Sequence, residues 1–169
     1  HALTEQIVLP LRLNNTYFQS PNIQELPVVH HYEAAIPVLG RTDLTGFRRS
    51  FLSQGDSAGA ILATSEEVAV FTKSLFSHEL LSKNSINQMI KFQGVNEPLL
   101  PINTGYGLGV SRWSIGGEEL WGHKGYFPGL NSITMYSPKH QYVITVLANQ
   151  SNIVTNIVLE ELQEKILNL

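Results

Sequence analysis

Cysteine is absent from the chain. Disulfides, thiolate nucleophiles and cysteine–zinc sites are therefore excluded, although the compartment stays open. Charge is sparse: Asp, Glu, Lys and Arg make up 15% of the residues and the net charge is −3. No run of Lys or Arg stands out, which argues against nucleic acid and anionic membrane surfaces as partners. Long apolar runs are missing as well. Tyr142 to Ala148 is among the longest, whereas a bilayer span needs roughly 20 residues. The chain begins His1-Ala2-Leu3, without Met, a basic n-region or a signal-like apolar stretch. That opening predicts a processed product or a fragment, with His1 either native or left from a tag. No internal repeat or low-complexity segment is visible.

What is present suits one domain. A chain of 169 residues, 43% of them apolar, can bury roughly two-thirds of its unfolded surface. Residues 3–9 form a short apolar piece ending at Pro10. Residues 19–60 are punctuated by Pro21, Pro27, Pro37, Gly40, Gly46, Gly55 and Gly59, which predicts a long irregular stretch. So long a stretch is usually functional surface or a segment held by a partner. Thr64-Ser65-Glu66-Glu67 then reads as a capping box. It opens a helix with Val68, Phe71, Leu75 and Phe76 on one face. Ser82 caps a second helix that buries Ile86, Met89 and Ile90. Residues 96–104 read as loop.

From Gly105 the pattern changes to strands: Tyr106 to Trp113, Glu119 to Lys124, Asn131 to Tyr136 and Gln141 to Ala148. The last two flank Ser137-Pro138-Lys139-His140, so an antiparallel hairpin is expected. A final helix from Asn152 carries Val154, Val158, Leu162 and Ile166 at helical spacing, with Ile157 beside them and Glu160, Glu164 and Lys165 opposite. The fold class is α+β: a helical and irregular part over residues 1–104, then strands and a covering helix over 105–169.

Four segments go beyond fold class. Pro10-Leu11-Arg12-Leu13-Asn14-Asn15-Thr16-Tyr17-Phe18 is similar to a "PLGM-x-x-T-x-F" segment, and the run from Ser57 to Glu67 to an "aGGL-x-ST-x-x-D" helix start. Tyr106-Gly107-Leu108-Gly109 matches a "YGLG" strand. Trp121-Gly122-His123-Lys124-Gly125-Tyr126-Phe127-Pro128-Gly129 is similar to a "GH-x-G-x-x-x-G" box. In this order and spacing they resemble the penicillin-recognising serine hydrolases: class C β-lactamases, D-alanyl-D-alanine carboxypeptidases and related esterases. The resemblance implies an incomplete β-lactamase/transpeptidase-like fold, a parent protein that transfers acyl groups from D-amino-acid peptides, β-lactams or small esters, no cofactor, and a periplasmic or cell-envelope setting. It makes His123-Lys124-Gly125 the counterpart of the family's Lys-Thr-Gly or His-Thr-Gly, on an edge strand lining the pocket. His123 would donate a hydrogen bond or charge near the nucleophile, and Lys124 would meet a substrate carboxylate. Gly125 would leave room for substrate, and the Tyr126 backbone N–H would be half of an oxyanion hole. Lys124 departs from the usual Thr or Ser at its position.

The larger departure is an absence. No Ser is followed three residues later by Lys, and none of the six Tyr opens Tyr-x-Asn or Tyr-x-Ser. In the family both motifs precede the "PLGM" segment. The expectation is therefore a C-terminal fragment whose partner is the missing N-terminal half, with a sheet edge at Gln141–Ala148 open to that half or to a second copy. A non-catalytic binding or assembly module is the alternative. Three other features have plainer readings. Gly55-Asp56-Ser57-Ala58-Gly59 fits the Gly-x-Ser-x-Gly elbow, but no alternating strand precedes it and the next helix starts near Thr64, so a turn is the better reading. His30-His31 with Glu33 and Asp43 lacks a ligand spacing and reads as loop. Trp113, Trp121 and Phe127 lack basic neighbours and read as core and pocket-wall aromatics rather than a stacking platform.

Overall fold

The computed structural model describes residues 2–18, 28–34, 40–47, 50, 53, 55, 58–95 and 102–169. Its centre is an antiparallel meander of five strands: β5 (Asn103–Tyr106), β6 (Ser111–Ile115), β7 (Glu118–Phe127), β8 (Leu130–Tyr136) and β9 (Val143–Ala148), in that spatial order. The turns are local. Gly116 and Gly117 both have positive φ, +58° and +80°, the signature of a type I′ hairpin. Pro128-Gly129, with Gly129 at +76°, closes the next hairpin. The expected Ser137–His140 turn joins β8 to β9, with Tyr136 opposite Val143. The single strand expected from Tyr106 to Trp113 is instead split into β5 and β6. Gly107 to Val110 forms the turn between them, closed by Gly107 N–H donating to the Val110 carbonyl at 2.8 Å.

Helices cover both faces of the sheet. On one side, Trp113, Ile115, Leu120, Ile133, Met135 and Ile144 pack around Leu159 of the C-terminal helix, here α3 (Thr155–Leu167). On the other, α1 (Ser65–Phe76) and α2 (Lys83–Met89) bring Phe76 and Ile86 against Val110 and Tyr136. Thr72 of α1 is hydrogen-bonded to Thr134, which is bonded in turn to Thr145, so polar groups as well as apolar ones fix α1 across β8 and β9. Among the described residues no helix is long and apolar enough to cross a membrane.

The final helix departs from expectation in start and rotation. Residues 149–151 remain tied to Tyr32: Tyr32 N–H donates to Asn149 O at 2.9 Å, and Ser151 N–H to Tyr32 O at 3.1 Å. The helix therefore begins at Thr155 rather than Asn152. Thr155, Leu159 and Gln163 face the sheet, whereas Leu162 and Ile157 are exposed. Gln163 is tolerated there because its Nε2 donates to the Ile115 carbonyl at 3.0 Å. β9 has a strand neighbour on one side alone among the described residues, so its outer edge is open.

The first part of the chain is fastened to the helices. β1 (Tyr17–Phe18) pairs with β4 (Ile61–Leu62), and β2 (Tyr32–Glu33) with β3 (Thr42–Asp43). Half of the expected capping box forms: Thr64 accepts the Glu67 N–H at 3.2 Å. The Glu67 carboxylate does not reach back to the cap. It accepts from Asn15 N–H at 2.8 Å and the Thr16 hydroxyl at 2.6 Å, a contact across half a hundred residues that joins the "PLGM"-like segment to α1. Burial pushes the Glu67 pKa upward, but the hydrogen bonds from Thr16 and Asn15 outweigh it and hold the carboxyl below its ordinary range. Stabilisation from a depressed carboxyl is complete above its unfolded value, near 4.5, and is lost as pH falls through the folded one. Glu67→Gln should thus cost about 1 kcal/mol at neutral pH, a charge-assisted value discounted for solvent access. In urea unfolding, the gap between wild type and variant should shrink below pH 4.5; a gap independent of pH would remove the carboxylate clamp from the account.

Candidate active site

The site follows from strand lengths and turn parity. β7 runs for ten residues and β6 for five. Ser111, the first residue of β6, lies opposite Gly122, so His123 to Phe127 have a neighbour in β8 but none in β6. The turns on either side of β7 are two residues long. The pairs that close them, Ile115–Glu118 and Phe127–Leu130, therefore exchange ladder hydrogen bonds, and bonded pairs alternate from there. Counting from Glu118, residues 120 and 122 turn their N–H and C=O toward β6. Counting back from Phe127, residues 125 and 123 turn theirs toward β8. Both counts direct the backbone groups of Lys124 and Tyr126 to the side where β6 has ended. One contact agrees independently: the Lys124 carbonyl accepts His123 Nδ1–H at 2.7 Å instead of a strand partner.

The expected edge strand is thus an internal strand whose last half, among the described residues, is an edge. Side chains alternate along it. Leu120 is packed beneath α3 and Trp121 against Phe76 of α1, so Lys124 and Tyr126 lie on the α3 face and His123 and Gly125 on the α1 face. The His123 ring folds over the edge, where its Nε2 lies 3.0 Å from the Tyr106 hydroxyl. A cleft of about 300 Å³ opens beside this edge, lined by Asn103, Tyr106, Ser111 and Trp113 together with His123 through Tyr126 of the box. A larger depression of about 500 Å³, bounded by Asn84, Gln88, Lys91 and Gln93, shares only Tyr106 with it and holds no box residue. Spacing alone did not single out Tyr106, Asn103 or Ser111 for this cleft. They reach it through the β5–β6 pairing, which no local pattern reports.

The other candidates resolve differently. Ser57 lies outside the described residues, as does His1. The glycines around Ser57 have a packing reason of their own: a Cβ on Gly59 would come within 2.5 Å of the Phe127 ring, and one on Gly55 within 3.0 Å. Phe127 therefore seats on this segment at the end of β7. Trp113 is buried in the core and also walls the cleft, and Trp121 packs with Phe76, Phe92 and Tyr136. His30 pairs with Asp43 at 2.8 Å on the surface, where Thr45 and then His30 pull the Asp43 carboxyl well below its usual range, while His31 is buried. Among the described residues no three His, Asp or Glu are grouped to hold a metal ion. The cleft thus offers a backbone N–H, an imidazole and an ammonium beside an open strand edge. The N–H and the ammonium are groups that can stabilise negative charge.

A family model described as Beta-lactamase matches residues 1–165. The fold is similar to that of a D-amino acid amidase from Ochrobactrum anthropi SV3, in complex with L-phenylalanine (TM-score 0.85, 21% identity, 98% of this chain and 52% of that one). A D-stereospecific amidohydrolase from Streptomyces sp. (0.72, 23%, 89% and 43%) is also similar. So is an octameric penicillin-binding protein homologue from Pyrococcus abyssi (0.74, 22%, 90% and 34%). The chain spans about half the length, or less, of these structures.

Two glycines of the box separate fold from site. A Cβ on Gly122 would overlap the Thr134 backbone carbonyl, which cannot move without the sheet. A Cβ on Gly125 would meet only the Ser132 hydroxyl, at 2.6 Å, and that side chain can rotate. Gly122→Ala should destabilise by about 3 kcal/mol or more, and Gly125→Ala by about 1 kcal/mol or less. Denaturant unfolding of the two variants measures the difference; equal costs would contradict the ladder geometry.

Proposed function

Because the chain belongs to the β-lactamase family, we propose that it is the C-terminal part of a serine hydrolase that transfers acyl groups from D-amino-acid amides or peptides, β-lactams or small esters. The observation that carries this reading is the half-edge of β7, which turns the Tyr126 N–H and the Lys124 backbone toward a cleft lined by His123 and Lys124. A substrate strand laid along that edge would find unpaired ladder groups. Its carbonyl oxygen would meet the Tyr126 N–H as charge develops there, an interaction worth about 3 kcal/mol in the transition state. The Lys124 ammonium would attract a substrate carboxylate as a point charge, in place of a hydroxyl hydrogen bond. Gly125 keeps the strand face clear. The nucleophilic Ser and its proton-transfer partners would come from a separate N-terminal half, whose strands would cover the open edge of β9.

A non-catalytic module is the second reading, favoured by the absence of Ser-x-x-Lys and Tyr-x-Asn from the sequence. Those two motifs in the full-length protein would decide for the enzyme.

Two measurements test the proposal. The 169-residue chain alone should show no acyl-Ser by mass spectrometry after fluorophosphonate or penicillin treatment; labelling of Ser57 would instead establish the elbow. In the full-length protein, His123→Ala should lower kcat and kcat/KM together by roughly 100-fold. Lys124→Ala should act mainly through KM, by about tenfold or less, the scale of one charge-assisted contact. Equal, negligible effects would make the box structural.

A further inference from the structure

We infer that Tyr106 is the positioning residue for His123, holding its neutral ring in the tautomer protonated at Nδ1, with Nε2 as the acceptor. The inference rests on the functional reading above for its importance, but not for its geometry. A carbonyl oxygen can only accept, so the 2.7 Å contact with Lys124 O requires a proton on Nδ1. The neutral ring then has its lone pair at Nε2, and among the described residues the hydrogen-bonding group on that nitrogen is the Tyr106 hydroxyl, at 3.0 Å. A phenol both donates and accepts, so here it donates. The two rings meet edge to face, with centroids 5.8 Å apart and planes at 78°.

Neither ring is held by burial: Tyr106 is 40% exposed and His123 is exposed. The geometry rests on the backbone beneath them. Tyr106 exchanges two 2.9 Å hydrogen bonds with Gln93 and pairs with Ser111, which pairs in turn with Gly122, the residue before His123. The phenol is thus placed by the sheet two strands away from the imidazole it reaches. The consequence concerns the role of the box's first residue. With Nδ1–H on the Lys124 carbonyl and Nε2 taken by the phenol, the group the pair turns to the cleft is the Tyr106 oxygen, an acceptor, rather than a donor on His123.

The test reads the ring directly. In the ¹⁵N-labelled chain, at a pH well above the ordinary histidine range, long-range ¹H–¹⁵N correlation should show His123 as a single tautomer with the proton on Nδ1. The resonance is assigned by its loss in His123→Gln. Tyr106→Phe keeps the ring but removes the donor. It should shift the Nε2 resonance, move the ring toward a tautomer mixture, and raise the rate of His123 carbethoxylation by diethylpyrocarbonate roughly fivefold, the factor expected from one ordinary hydrogen bond. A wild-type ring that is mixed or protonated at Nε2 overturns the inference, whether or not the variant folds. A folded Tyr106→Phe with unchanged resonances and unchanged reactivity overturns it too. None of these readouts requires turnover, so failure of the hydrolase reading and failure of the Tyr106 assignment remain distinguishable.

Discussion

β6 stops where β7 continues, and the candidate site depends on that mismatch. Had β6 extended past Ser111, its backbone would have taken up the outward N–H and C=O groups of Lys124 and Tyr126, and no cleft would lie there. The Gly107–Val110 turn prevents the extension by sending the chain back as β5. Two-residue turns on both sides of β7 then set which backbone groups point outward. The chemistry of the box is therefore a matter of ladder parity as much as of side-chain identity. His123 occupies one of those outward acceptors, the Lys124 carbonyl, with its own ring.

The same strand is seated by close contacts at both ends of the box. Gly122 lies against the Thr134 carbonyl, and Phe127 fills the space that side chains at Gly55 and Gly59 would need. A five-residue pattern that resembles a nucleophile elbow thus has a packing function at its two glycines. At the far end of the chain, Glu67 turns from its local cap to Asn15 and Thr16, which brings the N-terminal segment onto α1. That exchange gives up a local contact for one that closes a long loop, and it ties two of the four family-like segments together.

The cleft brings together an amide N–H and an ammonium, groups that can stabilise negative charge. The open outer edge of β9 and the exposed Ile157 and Leu162 on α3 lie elsewhere on the same body, on surfaces that an N-terminal half would cover in the proposed assembly.

Much was legible in the order of residues. Thr64 and Ser82 were readable as caps because capping is a contact within one turn. The strand regions of β7, β8 and β9 and the Ser137–His140 turn were readable for the same reason: alternation and turn chemistry act over a few residues. Apart from one local turn, the misses involve partners distant in the chain. The expected Tyr106–Trp113 strand broke in two because a Gly-rich turn outweighed a β-like run. The last helix rotated onto Leu159 and Gln163 because a buried amide could reach the Ile115 carbonyl, and a helix-face pattern cannot register a hydrogen bond 48 residues away. Glu67 left its cap for Asn15 and Thr16 for a similar reason. Tyr106 lies 17 residues before His123 and on another strand, so only the register of three paired strands could bring its hydroxyl to the ring. Sequence determined the elements and the identity of the box. Tertiary pairing decided which backbone groups of that box were left open, because an unpaired edge is a property of where the neighbouring strand ends.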